Sequence, residues 1–347
     1  MIRIADPYAG PGRWCRAQLH CHTRHSDGRF SPADLAQRYR DAGYTFVVFT
    51  DHDRVTRWDG LNDATFLALP GVEETVRWGV RPLGPHLGRL LAEDVIGAGP
   101  PEARVRHTLA RGGVPNLHHP SWTGNVWTGA WTARVLAALP APFLVEIWNP
   151  HSDPEEDLRR WLHAVRAHGP DAVVAASAGD DCHVDAQFDR AWVVVKVDTV
   201  SAAALRRALL GGAFYASTGV TATFGVEGSG IVARAEADEV LVFDAAGRLR
   251  RRLGAGGGVY PPEGDEGFVR VECRAGTRRA WSQVFWIIPE GRDAGGAPSP
   301  AGEFDPACRT FASGDVPAAL PGAGRVPPST EEPGDPQGKR TAWRDAR

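Results

Sequence analysis

From Trp14 to about Gly211, short apolar runs alternate with amphipathic stretches. That alternation constrains the fold most, because strand and helix units of this kind predict an α/β protein built around a largely parallel sheet. One unit is complete in its punctuation. Ser31, Pro32 at the first helical position and Asp34 in the first turn start a helix carrying Leu35 and Tyr39, and Gly43 stops it. Residues 45–49, Thr-Phe-Val-Val-Phe, then read as a buried strand, as do 17–22, 114–117, 143–148, 173–177 and 192–197.

A last helix over 201–210 ends at Gly211-Gly212, after which the texture changes. Alternating segments at 231–235, 239–243, 268–273 and 283–288, separated by glycine-rich or charged turns, predict a small antiparallel β-domain. Beyond Gly291 the chain is rich in Gly, Pro, Ala and charge without apolar periodicity, the composition of a disordered tail. The expected division is 1–217 for the α/β domain, 218–290 for the β-domain and 291–347 for the tail.

The 347 residues are 43% hydrophobic and 23% charged, as in a protein with a substantial core. The chain has no apolar run of membrane-spanning length and no N-terminal secretory pattern, so a cytoplasmic location is expected. A formal net charge of −3 gives no electrostatic reason for an obligatory nucleic-acid partner. The arginines at 248 and 250–252 read as a solvated turn. Five cysteines, at 15, 21, 182, 273 and 308, form no CxxC pair, so a metal would have to be held by nitrogen and oxygen.

The chemistry-bearing residues cluster just after the strands. His20-Cys21-His22 closes the first; residues two apart on a strand share a face, so both imidazoles can grip one cation while Cys21 points away. Asp27 adds a hard oxygen a few residues on, and Asp51-His52-Asp53 closes the next strand. The same grammar recurs in Gly71-Val72-Glu73, in His86 within a Gly- and Pro-rich loop, in His118-His119-Pro120 and in Gly179-Asp180-Asp181-Cys182-His183. Loops after strand C-termini are where open sheets and α/β barrels place their ligands.

In that order the motifs HxH, SDG, TDHD, GxE, HP and GxDxH resemble the PHP (polymerase and histidinol phosphatase) superfamily of metal-dependent hydrolases. Glu146-Ile147-Trp148-Asn149, residues 214–219 and residues 280–283 further resemble its carbaryl-hydrolase-like branch. The resemblance implies a distorted (β/α)7 barrel with three divalent ions, Mn, Fe or Zn, at its C-terminal mouth. His20, His22, Glu73 and Asp181 would hold the first, Glu73, His86 and His119 the second, and Asp27, His52 and His183 the third. The sequence departs from the pattern at His118, where a small residue is usual, and at Asp180, which rivals Asp181.

The implied activity is hydrolysis by a metal-activated hydroxide, which needs no protein nucleophile. The expected substrate is a small phosphate ester. A carbamate, ester or amide hydrolase on the same ligands is the alternative, as is a non-catalytic metal-containing binding module. Arg24, His25 and His118 flank the ligands and are candidates to steady developing charge or pass a proton. Glu146 and Asn149 read equally as pocket lining and as a turn, and Trp122, Trp127 and Trp131 as a packed loop or a lid. The sequence assigns no oligomeric state.

Overall fold

The computed structural model describes residues 2–77 and 83–289; the expected tail, 291–347, and Cys308 lie outside them. The helix forecast after Ser31 spans Pro32–Asp41, with the Ser31 side chain accepting from the Asp34 amide and Gly43 at φ 82° just beyond its end. Strands at Val114–Leu117, Phe143–Trp148 and Trp192–Val197 fall where the apolar runs place them. Helix Ala202–Gly211 follows the Ser201 cap. Helix Pro154–His168 buries Trp161, Leu162 and Val165, and the Trp161 indole donates to the Val174 carbonyl (2.9 Å).

The sheet arrangement departs from the sequence expectation in two ways. First, it is mixed. Arg13–Gln18, Phe46–Val48 and Leu67–Leu69 pair in parallel, as do Val114–Leu117, Phe143–Trp148 and Val174–Ala178. Between these blocks, His86–Leu90 is a strand and not the expected loop, antiparallel to both Gly71–Thr75 and Val114–Leu117. Trp192–Val197 likewise runs antiparallel to Arg13–Gln18 and Phe214–Ser217. Of these pairs, Gly71–Thr75 and His86–Leu90 are consecutive elements, and an antiparallel pair needs no crossover between its strands.

Second, the ladders are open, and no continuous (β/α)7 barrel forms among the described residues. Gly71–Thr75 through Val174–Ala178 make a separate five-stranded sheet. Only isolated bridges, Cys21 to Cys182, His52 to Glu73 and Thr56 to Gly71, join it to the sheet containing Arg13–Gln18. These bridges sit among the motif residues.

The C-terminal segments are antiparallel, as expected. Gly230–Ala235 pairs with Ala222–Glu227 and Gly257–Tyr260, and Glu239–Asp244 with Phe268–Ala275. Arg278–Trp281 pairs with Phe214–Ser217, so the larger sheet runs unbroken from the first motif strand into this region. Among the described residues no helix is long and apolar enough to cross a membrane.

The period of two along Gly71–Thr75 sends Glu73 and Glu74 to opposite faces. Glu74 is fully buried and pairs with Arg89 (2.7 Å) and Arg104, both also buried. Arg89 continues to Asp94, and Arg104 to the Gly99 carbonyl, so one carboxylate ties strand, loop and helix Pro101–Ala110 together. Removing one partner of such a network strands buried charge. Glu74→Ala is therefore expected to cost about 3–5 kcal/mol in urea denaturation; a loss below about 1 kcal/mol would mean the arginines find other partners.

Candidate functional site

The strand Arg13–Gln18 stops four residues earlier than its apolar pattern suggests. The buried Gln18 side chain accounts for this: its Oε1 accepts from the Leu19 and His20 amides, and its Nε2 donates to the Ala191 carbonyl. The alternation nonetheless survives through the single bridge at Cys21. Cys21 and Cys182 pack into a core with Tyr39 and Val47, while His20 and His22 turn to the other side.

There they meet Glu73 and Asp181. Nε2 of His20 and Nε2 of His22 each lie 3.1 Å from Asp181 Oδ1 and 3.3 Å from a Glu73 oxygen. His52, His86 and His119 each bring a ring nitrogen to 3.1 Å from Glu73. Asp27 stands 3.3 Å from His183 Nε2 and 3.5 Å from His52 Nε2. All nine sequence-predicted ligands thus converge, and Glu73 touches five of them, His20, His22, His52, His86 and His119. Asp180 is excluded from the group: buried behind it, its carboxylate accepts from the Tyr39 hydroxyl (2.9 Å) and the Asp189 amide (2.8 Å).

Electrostatics mark the cluster as a place for positive charge. Burial would raise the pKa of Glu73, but the His86, His20 and His52 imidazoles hold it well below the usual carboxylate range. Asp181 is likewise held down against burial by His20 and His22. Burial would lower His22, yet the adjoining Asp181 and Glu73 carboxylates lift it to about 9. Asp27, half exposed, is kept ionised by His183 and His52 against its partial burial.

The hydrogen-bond ledger points the same way. Nε2 of His20 and His22, Nδ1 of His86, and Oδ1 of Asp181 are buried without partners. Leaving such atoms unsatisfied is costly, and their convergence fits divalent cations bound by imidazole and carboxylate. Four donors, from His22, Asp27, His52 and His183, lie within 4.8 Å of one another, as do three from His52, Glu73 and His86, and three from His20, His119 and Asp181. Two of these residues, His119 (φ 28°) and Asp181 (φ 47°), hold left-handed backbone that costs energy and is kept only where surroundings enforce it.

A second layer orients the donors. Glu146, fully buried, accepts from His20 Nδ1 (3.1 Å), the His119 amide (2.8 Å) and Asn149 Nδ2 (2.9 Å). His20 therefore carries its proton on Nδ1 and turns a bare Nε2 to the cluster, the carboxylate–histidine arrangement of metal sites. Asn149 also donates to Asp181 Oδ2 (3.2 Å). His183 Nδ1 donates to the Asp181 carbonyl (2.8 Å), leaving Nε2 toward Asp27. Asp51 gathers Thr23, Ser26 and Thr56 and so braces the loop carrying Asp27.

Among the three flanking candidates, Arg24 bonds back to the Arg29 carbonyl and His25 to Thr56, and neither lines the cavity. His118 is buried against the site, its Nδ1 donating to Glu73 Oε1 (2.8 Å) and its ring stacked on His20 at 3.5 Å. Burial and the neighbouring His20 push its pKa down to about 4. Gly88 makes room for it, since a Cβ there would lie 2.1 Å from His118 Nε2. The tryptophans separate: Trp131 is core and donates to the His86 carbonyl, Trp122 packs beside His86 and His119, and Trp127 is exposed.

The cluster opens into a cavity of about 430 Å³ walled by Asp27, His52, His86, His119, Trp122 and His151 among others. Sequence reasoning missed His151, named Asp51 within its motif without giving it a role, and left Glu146 open. His151 follows a strand whose other polar residues were noticed, but it carries no ligand spacing.

No protein-family profile matches the sequence, and no curated protein does. Among solved structures, the chain is similar to a two-domain protein from Bacteroides vulgatus described as containing a PHP-like metal-dependent phosphoesterase, at 14% identity over 79% of this chain and 87% of that one, TM-score 0.44. It is also similar to a protein from Bifidobacterium adolescentis described as a metal-dependent phosphoesterase (16%, 48% and 87%, 0.38). A third is an amidohydrolase from Chromobacterium violaceum (17%, 49% and 88%, 0.33).

The second layer is testable. In Glu146→Gln the oxygen can still accept from His119 and Asn149, which turns an amide N–H toward His20 Nδ1 and drives its proton to Nε2. Divalent-ion affinity, measured by competition with a chromophoric chelator, is expected to fall about 10–100-fold. Unchanged affinity would remove Glu146 from the site.

Proposed function

We propose that the chain is a PHP-type metal-dependent hydrolase that takes three divalent ions, Mn, Fe or Zn, and acts on a small phosphate ester. The observation that carries this reading is the convergence of nine donor side chains, several with buried and unpartnered donor atoms, on one open cavity. A structural metal site would more commonly close four ligands around one ion and leave no mouth.

His20, His22, Glu73 and Asp181 would hold the first ion, Glu73, His86 and His119 the second, and Asp27, His52 and His183 the third. When bound, such ions lower the pKa of water and stabilise charge developing on a phosphoryl or acyl oxygen. The chain's own part is to hold the ligands. Glu146 fixes the His20 proton on Nδ1, His118 anchors one oxygen of Glu73, and Asp51 fixes the Asp27 loop. Asp27, its side chain 55% exposed, lies where ligands and substrate both have access.

A carbamate, ester or amide electrophile would use the same donors. The test is turnover by protein reconstituted with Mn, Fe or Zn on p-nitrophenyl phosphate, bis-p-nitrophenyl phosphate, p-nitrophenyl acetate and a p-nitrophenyl carbamate. Phosphate-ester hydrolysis that disappears in folded Asp27→Ala and His183→Ala variants is expected. Acyl turnover alone would move the protein to the alternative class, and full activity of both variants in metal-depleted buffer would refute the metal site.

A further inference from the structure

His151 lies on the cavity wall, just beyond the strand Phe143–Trp148, and belongs to none of the ligand motifs. Its Nε2 is 2.9 Å from Gln187 Nε2. Which of the two carries the proton between them is decided on the far side of Gln187. There Oε1 accepts from the His183 amide (2.8 Å) and the Val184 amide (3.0 Å), so the oxygen end of the side chain is committed. Reversing the amide would set its NH2 against two N–H donors. Gln187 therefore turns its NH2 to His151, and His151 Nε2 is the acceptor.

A neutral imidazole that accepts at Nε2 carries its proton on Nδ1. The main chain of His151 is held as well, its amide donating to Asn149 Oδ1 (2.8 Å) while Asn149 Nδ2 is occupied by Glu146 and Asp181. Two amide side chains of fixed orientation thus set both the position of the ring and its tautomer. His151 Nδ1 has no hydrogen-bond partner among the described residues. On this exposed side chain of the cavity wall, it is the ring nitrogen open to solvent or to a ligand.

We propose that His151 is a substrate-binding residue whose Nδ1–H donates to an anionic oxygen of the substrate, with Gln187 as the residue that positions it. This deepens the hydrolase reading and rests on it. The opposite tautomer would present a lone pair to that oxygen and repel it, so the orientation of Gln187 matters to binding and not only to packing. The chemistry recognised is an oxygen-rich anion such as a phosphoryl group, held by charge-assisted hydrogen bonding.

The test uses zinc-loaded full-length protein and inorganic phosphate. Zinc uptake is measured first; its absence would overturn the metal-site reading and this proposal with it. Two-bond nitrogen–proton NMR correlations then report the tautomer of His151, identified by the signals lost in His151→Asn. Protonated Nδ1 with bare Nε2 is expected, and the reverse overturns the proposal while leaving the hydrolase reading intact. By calorimetry, His151→Ala and His151→Gln, which place no donor at the Nδ1 position, should weaken phosphate binding about 10–100-fold, the worth of a hydrogen bond to a charged group. His151→Asn, whose amide nitrogen superposes on Nδ1, should restore it to within about threefold. Equal affinity across all four proteins, or no phosphate binding by the loaded wild type, overturns it.

Discussion

The Glu73 carboxylate governs this structure. It is 1% exposed and has six imidazoles, those of His20, His22, His52, His86, His118 and His119, within 3.3 Å. A buried carboxylate is expensive unless positive charge or hydrogen bonds compensate it. Here the compensation comes from side chains delivered by separate strand ends, so the sheets must bring those ends together for Glu73 to be buried at all. Its neighbour Glu74 solves the same problem on the opposite face with Arg89 and Arg104. One short strand is thereby fixed from both sides.

Much of this was legible in the sequence because it rests on local rules. Two-residue spacing put His20 and His22 on one side of an extended segment, and the Ser31 and Gly43 punctuation bounded a helix to within a residue. What was not legible depended on contacts between distant segments. The early end of the first strand comes from Gln18 reaching the Ala191 carbonyl, 173 positions away. His86 sits on a strand because Gly71–Thr75 and Val114–Leu117 offer two edges to it, and no period of its own short run announces that. The sheets accordingly come out mixed and open where a largely parallel barrel was expected.

The choice between Asp180 and Asp181 shows the same division. The two-residue spacing to His183 favoured Asp181. The structure supplies the reason the other is tolerated: Asp180 is buried with Tyr39 and the Asp189 amide as partners. His118 is the parallel case on the other side of the site. A large ring where a small residue is usual needs space, and Gly88 across the sheet provides it. Neither compensation can be found by reading along the chain.

Around the donors, orientation is set by groups that have only one way to be satisfied. Carboxylates accept only, backbone amides donate only, and side-chain amides placed between them lose their freedom to flip. Glu146, Asn149 and Gln187 each sit in such a position. Proton positions on His20 and His151 follow from that bookkeeping of donors and acceptors, and the bare nitrogen of His20 faces Glu73 and Asp181.

The most direct examination of the cluster is anomalous diffraction from crystals of the protein grown with zinc, with data collected on both sides of the zinc edge. Three peaks, each with the ligands assigned above and two of them sharing Glu73, are the expected result. A cluster without an anomalous peak beside Glu73, its imidazoles bonded directly to the carboxylates, would contradict it.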